Sequence, residues 1–231
     1  YCIFIVVMKK KIFFFFLILF VSVSFAQRDS LQIGDRYADD QIYASISYAQ
    51  FNQQPSIISK SGFSFGVSTG FIKDFILNKQ GTISIGIGFG YGYDYFNHDL
   101  KVQEINNTTV FSDSANLNSN IFTTHNLEFP LEFRWRTSNA LKYDFWRIYT
   151  GVKFLYNFSN TFRFEENGTH FSYKNISAYN NFQYGITFSV GYDVINLHVF
   201  YNLTPIFKNA TINTESVDTS ILKFGLIFYI L

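Results

Sequence analysis

The fold of this chain is decided by the stretch TISIGIGFGYGYDY, residues 82–95. Its large apolar and aromatic side chains all have odd numbers: Ile83, Ile85, Ile87, Phe89, Tyr91, Tyr93 and Tyr95. The even-numbered positions carry small or short polar residues: Ser84, Gly86, Gly88, Gly90, Gly92 and Asp94. Because successive side chains of a β-strand point to opposite faces, this alternation predicts a strand with one bulky apolar face and one nearly bare face.

The nearly bare face indicates what surrounds the strand. A soluble sandwich or lipocalin-like barrel also alternates, but its water-facing side normally carries Lys, Glu and Thr. Glycine and serine suit the inside of a narrow closed barrel, where space is short. The apolar face then points outward, which is the pattern of a strand that crosses a lipid bilayer. The stretch therefore predicts a transmembrane β-barrel.

The same alternation recurs along the chain and predicts eight strands. They cover residues 42–51, 63–73, 82–96, 122–136, 144–158, 179–192, 195–203 and 219–231. Long connections follow the first, third, fifth and seventh strands, and short ones follow the second, fourth and sixth. Outer-membrane barrels have this arrangement of short periplasmic turns and long external loops. We therefore predict an all-β fold, a single closed antiparallel transmembrane β-barrel over residues 41–231, in which the last strand pairs with the first.

The residues ahead of the barrel predict export. Residues 8–26 read MKKKIFFFFLILFVSVSFA, with a basic start, an apolar core and small residues at the end. This pattern is typical of a cleaved signal peptide, and the apolar run is shorter than the roughly 20 residues of a spanning helix. We interpret residues 1–7 as upstream, non-native sequence and the polar residues 27–40 as a periplasmic lead-in. The predicted location is the outer membrane of a Gram-negative cell.

Composition argues against several classes of function. Charged residues make up 15% of the chain and aromatic residues 21%, and a lipid-facing surface explains both values. Without residues 1–26 the chain has 15 basic and 17 acidic residues, so no nucleic-acid partner is expected. The only cysteine, Cys2, precedes the signal peptide, which excludes disulfides and thiol chemistry from the exported part. We expect neither a cofactor nor a metal.

Charged residues occupy inward positions of the fourth and fifth strands. The predicted lumen set is Glu128, Glu132, Arg134, Arg136, Arg147 and Lys153. In a hairpin that turns near residue 140, an acid approaches a base in either register, as Glu128 with Lys153 or as Glu132 with Arg147. The set is either a selectivity constriction or a structural network that fills a lumen only wide enough for side chains. If it is structural, Glu132→Ala should destabilise the barrel by roughly 3–5 kcal/mol.

The histidines offer little support for catalysis. His98, His125 and His170 lie in or beside predicted external loops, and their spacing does not resemble a metal site. His198 lies on the inner face of the seventh strand, and Ser189 lies on the inner face of the strand before it. A Ser-His-acid hydrolase needs a nucleophile beside a base, and the sequence alone does not bring Ser189 next to His198. We therefore expect no catalytic residue, with a lipid-modifying enzyme as the weaker alternative.

The chain resembles the small outer-membrane barrels of Bacteroidetes known as porin family or PorT-like proteins. The resemblance is carried by GFIKDFILNKQ (70–80), GIGFGYGY (86–93), NLEFPLEFRWRTS (126–138), FWRIYTGVKF (145–154), YNLTPIF (201–207) and FGLIFYIL (224–231). It implies an outer-membrane barrel with a structural or accessory role linked to type IX secretion, and it supplies no catalytic residues. The expected partners are outer-membrane lipid, the barrel assembly machinery during biogenesis, and secretion-system proteins. A passive small-solute pore is the alternative.

Overall fold

The structure is a computed structural model that describes residues 40–55, 58, 62–106, 108–112, 117–137, 146–212 and 215–230. Its strands are β1 (Gln41–Asn52), β2 (Phe65–Ile76), β3 (Ile83–Asn97), β4 (Lys101–Ile105), β5 (Thr108–Ser112), β6 (Leu117–Arg136), β7 (Trp146–Glu166), β8 (Thr169–Lys174), β9 (Phe182–Tyr192), β10 (Ile195–Asn202), β11 (Thr211–Ile212), β12 (Glu215–Ser216) and β13 (Ser220–Ile230). The predicted upstream residues 1–7, the signal peptide 8–26 and the lead-in up to residue 39 lie outside the described residues. Within the described ranges there is no helix long and apolar enough to cross a membrane.

Eight of these strands form a closed antiparallel barrel. Around the ring the order is β1, β2, β3, β6, β7, β9, β10 and β13. The ring closes where β13 pairs with β1, in a register that places Ile42 opposite Ile230. Each barrel strand is therefore hydrogen-bonded on both sides, as a lipid environment requires. The predicted all-β barrel of eight strands is confirmed.

The connections between barrel strands differ in length at the two ends. Long ones span residues 53–64, 98–116, 167–181 and 203–219 at one end, and short ones span 77–82, 137–145 and 193–194 at the other. In outer-membrane barrels the long connections face the exterior and the short ones face the periplasm. These two ends are called the external end and the inner end below.

The outside of the barrel carries an apolar band. Side chains such as Phe89, Leu131 and Phe188 are about half exposed because their strands turn them away from the interior. On β7 the band runs from Trp146 near the inner end to Phe158 near the external end. A tilted strand of that length spans roughly 30 Å along the barrel axis. The band therefore matches the hydrocarbon core of a bilayer.

Several predicted loops contain strands. β6 begins at Leu117 and β7 continues to Glu166, where it also pairs with β8. The hairpins β4–β5 and β11–β12 lie in stretches predicted as polar loops, and β2 continues to Ile76 instead of turning at Asp74. Asn, Ser and Thr are frequent in these connections, and they suit strands whose outer side is in contact with water. The long external connections therefore contain hairpins without adding a strand to the ring of eight.

A β-bulge in β7 explains why the alternation of residue types did not predict the external part of that strand. The pairing of β6 with β7 slips between His125 and Asn126, so that Phe158 is an extra residue. Up to this point the odd-numbered residues of β7 face inward, but beyond it Phe162 and Phe164 are buried. A bulge adds one residue to one strand, and a shift of one residue exchanges the two faces. The two rings therefore enter the barrel instead of pointing to its outside.

Candidate functional site

The glycine face of β3 leaves space for long side chains from neighbouring strands. A Cβ atom on Gly86 would lie 2.5 Å from Nε of Arg134 on β6. A Cβ atom on Gly90 would overlap the hydroxyl group of Tyr43 on β1. Glycine is therefore required where these side chains approach the β3 backbone. The stretch that predicted the barrel thus also makes room for its polar interior.

Nine buried charged side chains line the interior in the described part of the chain. This set, called the charge column, consists of Asp74, Asp94, Glu128, Glu132, Arg134, Arg136, Arg147, Lys153 and Lys223. It includes all six residues that the sequence placed in the lumen. Its members come from β2, β3, β6, β7 and β13. The register of the closed ring therefore brings together groups that are far apart in sequence.

Two arginines share Asp74 at the inner end of the charge column. Nη1 of Arg136 lies 2.9 Å from one carboxylate oxygen of Asp74, and Nη1 of Arg134 lies 3.4 Å from the other. Nε of Arg134 also donates to Glu132 at 3.0 Å. The Ser84 hydroxyl donates to Asp74 at 2.6 Å. Two acids thus balance two bases in a cluster without solvent exposure, which is the condition under which buried charges are tolerated.

Arg136 and Arg147 lie directly opposite each other on β6 and β7. Two like charges in this position would repel, but backbone oxygens hold both guanidinium groups. Nε of Arg136 donates to the carbonyl of Gly81 at 2.7 Å. Arg147 donates to the carbonyl of Asp193. Both acceptors belong to the short inner connections, so the two arginines fasten these connections to the barrel.

Glu128 and Lys153 form the middle of the charge column. Nζ of Lys153 donates to Oε2 of Glu128 at 2.9 Å. The Tyr43 hydroxyl donates to the same oxygen at 3.2 Å. This is one of the two acid–base contacts that the sequence allowed. In place of the other contact, Glu132 pairs with Arg134 on its own strand.

Asp94 and Lys223 form the third level, towards the external end. Nζ of Lys223 lies 2.6 Å from Oδ1 of Asp94. The side chains of Asn126 and Thr124 donate to Oδ2 of Asp94 at 3.2 and 3.3 Å. From there, amide side chains continue the chain of hydrogen bonds, beginning with Asn157 donating to Asn126 at 2.8 Å. The polar filling thus extends across several strands.

Three members of the charge column were missing from the predicted set. Asp94 has the inward parity in the opening stretch, and Lys223 stands between the outward Leu222 and Phe224. Their parity was therefore visible, but their partners lie on strands distant in sequence. Asp74 was assigned to a turn, so its inward direction was not considered. A search of every inward position, rather than of one hairpin, would have found Asp94 and Lys223.

An apolar cluster fills the barrel above the charge column. This external plug consists of Ala49, Ile58, Phe96, Leu100, Val102, Phe122, Phe162, Ile176, Tyr179, Ile206, Phe207, Ala210, Ile212, Val217 and Ile221. Phe122 stacks on Phe162 with 4.0 Å between ring centroids, and it contacts Phe96 at 5.5 Å. Residues of the long connections pack with residues of the barrel strands. The external mouth is therefore closed by a hydrophobic core.

His98 is buried at the edge of the external plug, just beyond the end of β3. Its ring meets those of Phe51, Phe122 and Phe162 edge to face, at centroid distances of 5.6, 6.2 and 6.0 Å. Both ring nitrogens lack a hydrogen-bond partner among the described residues. Burial lowers the pKa of His98 to about 3. The imidazole is therefore neutral near pH 7.

A cavity of about 10 Å³ lies within the charge column, beside its middle and third levels. Polar side chains on its walls include Ser47, Asp94, Glu128, Lys153, His198 and Lys223. This volume is roughly that needed by one water molecule. The cavity can therefore hold a water molecule but not a sugar, a nucleotide or an acyl chain.

The inward Ser189 and His198 meet inside the barrel. The Ser189 hydroxyl lies 2.7 Å from Nδ1 of His198 and 3.5 Å from the Tyr229 hydroxyl. Ser189 and His198 are both buried. In the ranges that the structure covers, no three His, Cys, Asp or Glu side chains are grouped so that they could hold a metal ion. The pair can stabilise the interior by its hydrogen bond, but a lipid substrate has no room to reach it.

Comparison with known families agrees with this architecture. A family model described as "Outer membrane protein beta-barrel domain" matches residues 25–208. The chain belongs to this family. The match includes every member of the charge column except Lys223, and it confirms the predicted outer-membrane barrel. The comparison with curated proteins found no match.

Proposed function

We propose that this protein is a sealed, non-enzymatic outer-membrane barrel that serves as a structural or accessory component of the membrane. The observation that carries the proposal is the filling of its interior. Paired charges occupy the barrel at bilayer height, and an aromatic core closes its external mouth. The cavity among the paired charges has room for about one water molecule.

In this proposal the charge column is structural and does not select ions. A selectivity filter must present charge to a water-filled path, so that a passing ion exchanges its water for protein groups. Here Glu128, Asp94 and Asp74 already accept from lysine or arginine side chains. An ion could enter only by breaking such a pair, which leaves a buried charge without its partner.

Conductance in a planar lipid bilayer tests the sealed state. The purified, folded barrel should insert without producing steady single-channel currents. The matched comparison is Phe122→Ala/Phe162→Ala, which removes the stacked pair of the external plug. A steady conductance of the wild-type barrel would contradict the proposal and favour the passive small-solute pore.

The lipid-modifying alternative depends on Ser189 and His198. Their burial supports the non-enzymatic proposal, because a nucleophile must reach the bond that it attacks. We expect the purified protein to leave ester-linked lipids unchanged, and Ser189→Ala to behave like the wild type. Lipid hydrolysis by the wild type that Ser189→Ala abolishes would overturn this part of the proposal.

The finer proposal is a PorT-like accessory role in type IX secretion, in a Bacteroidetes-type outer membrane reached through a cleaved signal peptide. Its support is the resemblance of stretches such as residues 126–138 and 201–207 to PorT-like proteins. Deletion of the gene should remove type IX cargo from the medium and accumulate it in the periplasm. Mass spectrometry should find a mature chain that starts at Gln27. An unchanged set of secreted proteins would leave the sealed barrel without a secretion role.

A further inference from the structure

On one side of the barrel, the wall continues beyond the lipid-facing band. β7 extends past Phe158 to Glu166, and β8 pairs with this extension from Thr169 to Lys174. One face of this hairpin packs Phe162 and Phe164 against the interior. The opposite face points outward, above the place where the external leaflet of the bilayer ends. This outward face of β7 and β8 is called the external wall.

The external wall carries two exposed bases, Arg163 and Lys174. Arg163 is opposite Ser172, and Lys174 is opposite Thr161. Paired residues of antiparallel strands share a face, so the two bases are diagonal neighbours, with Cα atoms roughly 7–8 Å apart. Arg163 is also the first exposed charged residue on β7 beyond Phe158.

An acid lies farther out on the same face, but it has its own partners. Glu165 accepts from Nδ2 of Asn118 at 3.2 Å and lies 3.7 Å from Nδ1 of His170. Lys101, the other base near this hairpin, is bound to Glu166 at 2.8 Å. The positive charge of Arg163 and Lys174 therefore dominates the part of the wall nearest to the bilayer.

Aromatic residues form a shelf on the lipid-facing side just below the external wall. The shelf consists of Tyr91, Tyr93, His125 and Phe158. The Tyr91 hydroxyl and Nδ1 of His125 are 2.6 Å apart. The His125 ring lies 5.2 Å from the Tyr93 ring and 6.0 Å from the Phe158 ring. A polar pair on the lipid-facing side belongs at the height where head groups begin, because in hydrocarbon its polar atoms would be costly.

We propose that the shelf and the external wall together bind the phosphorylated sugar head group of a lipid in the external leaflet. The shelf offers aromatic faces and a Tyr–His pair to the sugar, and Arg163 and Lys174 offer charge to the phosphate. Four residues of β7 separate the level of His125 from Arg163, which is roughly 10 Å along the barrel axis. Long basic side chains can reach down across such a distance, and arginine can bind phosphate with two hydrogen bonds.

The chemistry of the bound molecule follows from the two surfaces next to the site, the lipid-facing band and the basic external wall. The shelf is continuous with the band that lipid chains already cover, so a molecule held there has its chains in the bilayer. The wall is basic where the shelf ends, so that molecule is anionic at its head. A soluble anion could bind the basic residues of the external wall but would make no contact with the shelf. A neutral lipid could contact the shelf but would have no charge to pair with the external wall.

Native mass spectrometry of the folded barrel in detergent can test the proposal with lipid A as probe. Lipid A carries acyl chains, two glucosamine units and phosphates, whereas its dephosphorylated form keeps the acyl chains and sugars and lacks the phosphates. Since each base near an anionic surface strengthens binding roughly fivefold, Arg163→Gln/Lys174→Gln should weaken lipid A binding about 20- to 30-fold. The matched control is Lys79→Gln/Lys208→Gln, which removes two exposed bases outside the wall and should bind like the wild type.

The two lipid probes separate the contributions of charge and shelf. Dephosphorylated lipid A should bind the wild type as weakly as lipid A binds the wall variant. Tyr91→Phe, which removes one hydroxyl group at the shelf, should weaken the binding of both lipids. Equal binding of lipid A by the wild type and the wall variant, or equal binding of the two lipids by the wild type, would overturn the proposal. The heat-dependent mobility of each variant in gels verifies that it has folded.

Discussion

The charge column and the external plug fill one lumen with opposite chemistries. At bilayer height the outside of the wall is apolar and the inside holds paired charges. Beyond the bilayer the outside carries polar residues such as Arg163 and Lys174, and the inside holds stacked phenylalanines. The same strands, β6 and β7, contribute to both regions. The barrel therefore changes from the inverted pattern of a membrane protein to the pattern of a soluble one along its own length.

The surroundings of the wall explain the change. Burial of an aromatic ring stabilises a fold when it removes apolar surface from water. Beyond the bilayer, water lies on the outer side of the wall, so large apolar residues belong inside. At bilayer height lipid takes the apolar residues, and the inward positions are left to polar groups that must satisfy one another. On β7 the bulge at Phe158 makes the exchange of faces possible.

The largest expected effect comes from breaking the charge column at Asp74. Asp74→Ala removes the acid shared by Arg134 and Arg136, and we expect a loss of about 5 kcal/mol. Glu132→Ala removes one of the two acids beside Arg134 and should cost about 3–5 kcal/mol. The measurement is the free energy of unfolding in urea, with the barrel folded in lipid vesicles.

The matched control for Asp74→Ala is Glu165→Ala, since Glu165 contacts the exposed His170 on the external wall. Exposed ion pairs contribute about 1 kcal/mol or less. If Asp74→Ala costs no more than Glu165→Ala, the charges of the column are solvated and the interior is not sealed.

In the external plug, the free energy of unfolding should depend on packed side-chain volume, whereas in the charge column it should depend on paired charges. Phe122→Ala removes the ring that contacts Phe162, Phe96 and Tyr179, and should cost about 3–4 kcal/mol. Phe129→Ala on the same strand is the control, because Phe129 faces lipid and is 41% exposed. The same urea titration should show a clearly smaller loss for Phe129→Ala. Equal losses would mean that the plug does not pack as a core.

Much of the barrel could be predicted from the sequence because its strands obey a strict period of two. In residues 82–95 the glycines mark the inside and the aromatics mark the outside, which fixes both faces at once. The charges of the β6–β7 hairpin were also visible, because adjacent strands limit the possible registers. Glu128 and Lys153 meet as one of those registers requires.

The rest depends on contacts that alternation does not encode. Lys223 reaches Asp94 only because the ring closes between β13 and β1, so that distant segments share the interior. The external plug was missed because the bulge reverses the faces of β7 and because its loops are rich in polar residues. A period of two cannot show where a single extra residue is inserted.

A third prediction tests the outside of the barrel along a single strand. Phe89 and Tyr95 both point outward from β3, with Phe89 near the middle of the band and Tyr95 near its external edge. Phe89→Arg should cost about 2–4 kcal/mol, whereas Tyr95→Arg should cost about 1 kcal/mol or less. The fraction of folded barrel in vesicles, read from its gel mobility, measures both. Normal folding of Phe89→Arg would mean that the faces of β3 are reversed.

The smallest effect at neutral pH concerns His98, a polar ring placed among apolar ones. His98 has two buried nitrogens without a hydrogen-bond partner among the described residues, and such groups destabilise a fold. Replacing it with a leucine of similar size should stabilise the barrel by about 1 kcal/mol near pH 7. Phe51→Leu, beside it, is the control for a change of packing alone and should not stabilise the barrel.

The pH dependence of His98→Leu separates a buried polar group from a simple packing defect. Burial lowers the pKa of His98 to about 3 in the folded state, against about 6.5 in the unfolded chain. The unfolded chain therefore binds the proton first, and stability falls as the pH drops from about 6.5 towards about 3. Between about pH 7.5 and about pH 5 the wild type should lose about 2 kcal/mol that His98→Leu does not lose. Parallel pH profiles of the two proteins would mean that water reaches His98, and that the external plug is not the dry counterpart of the charge column.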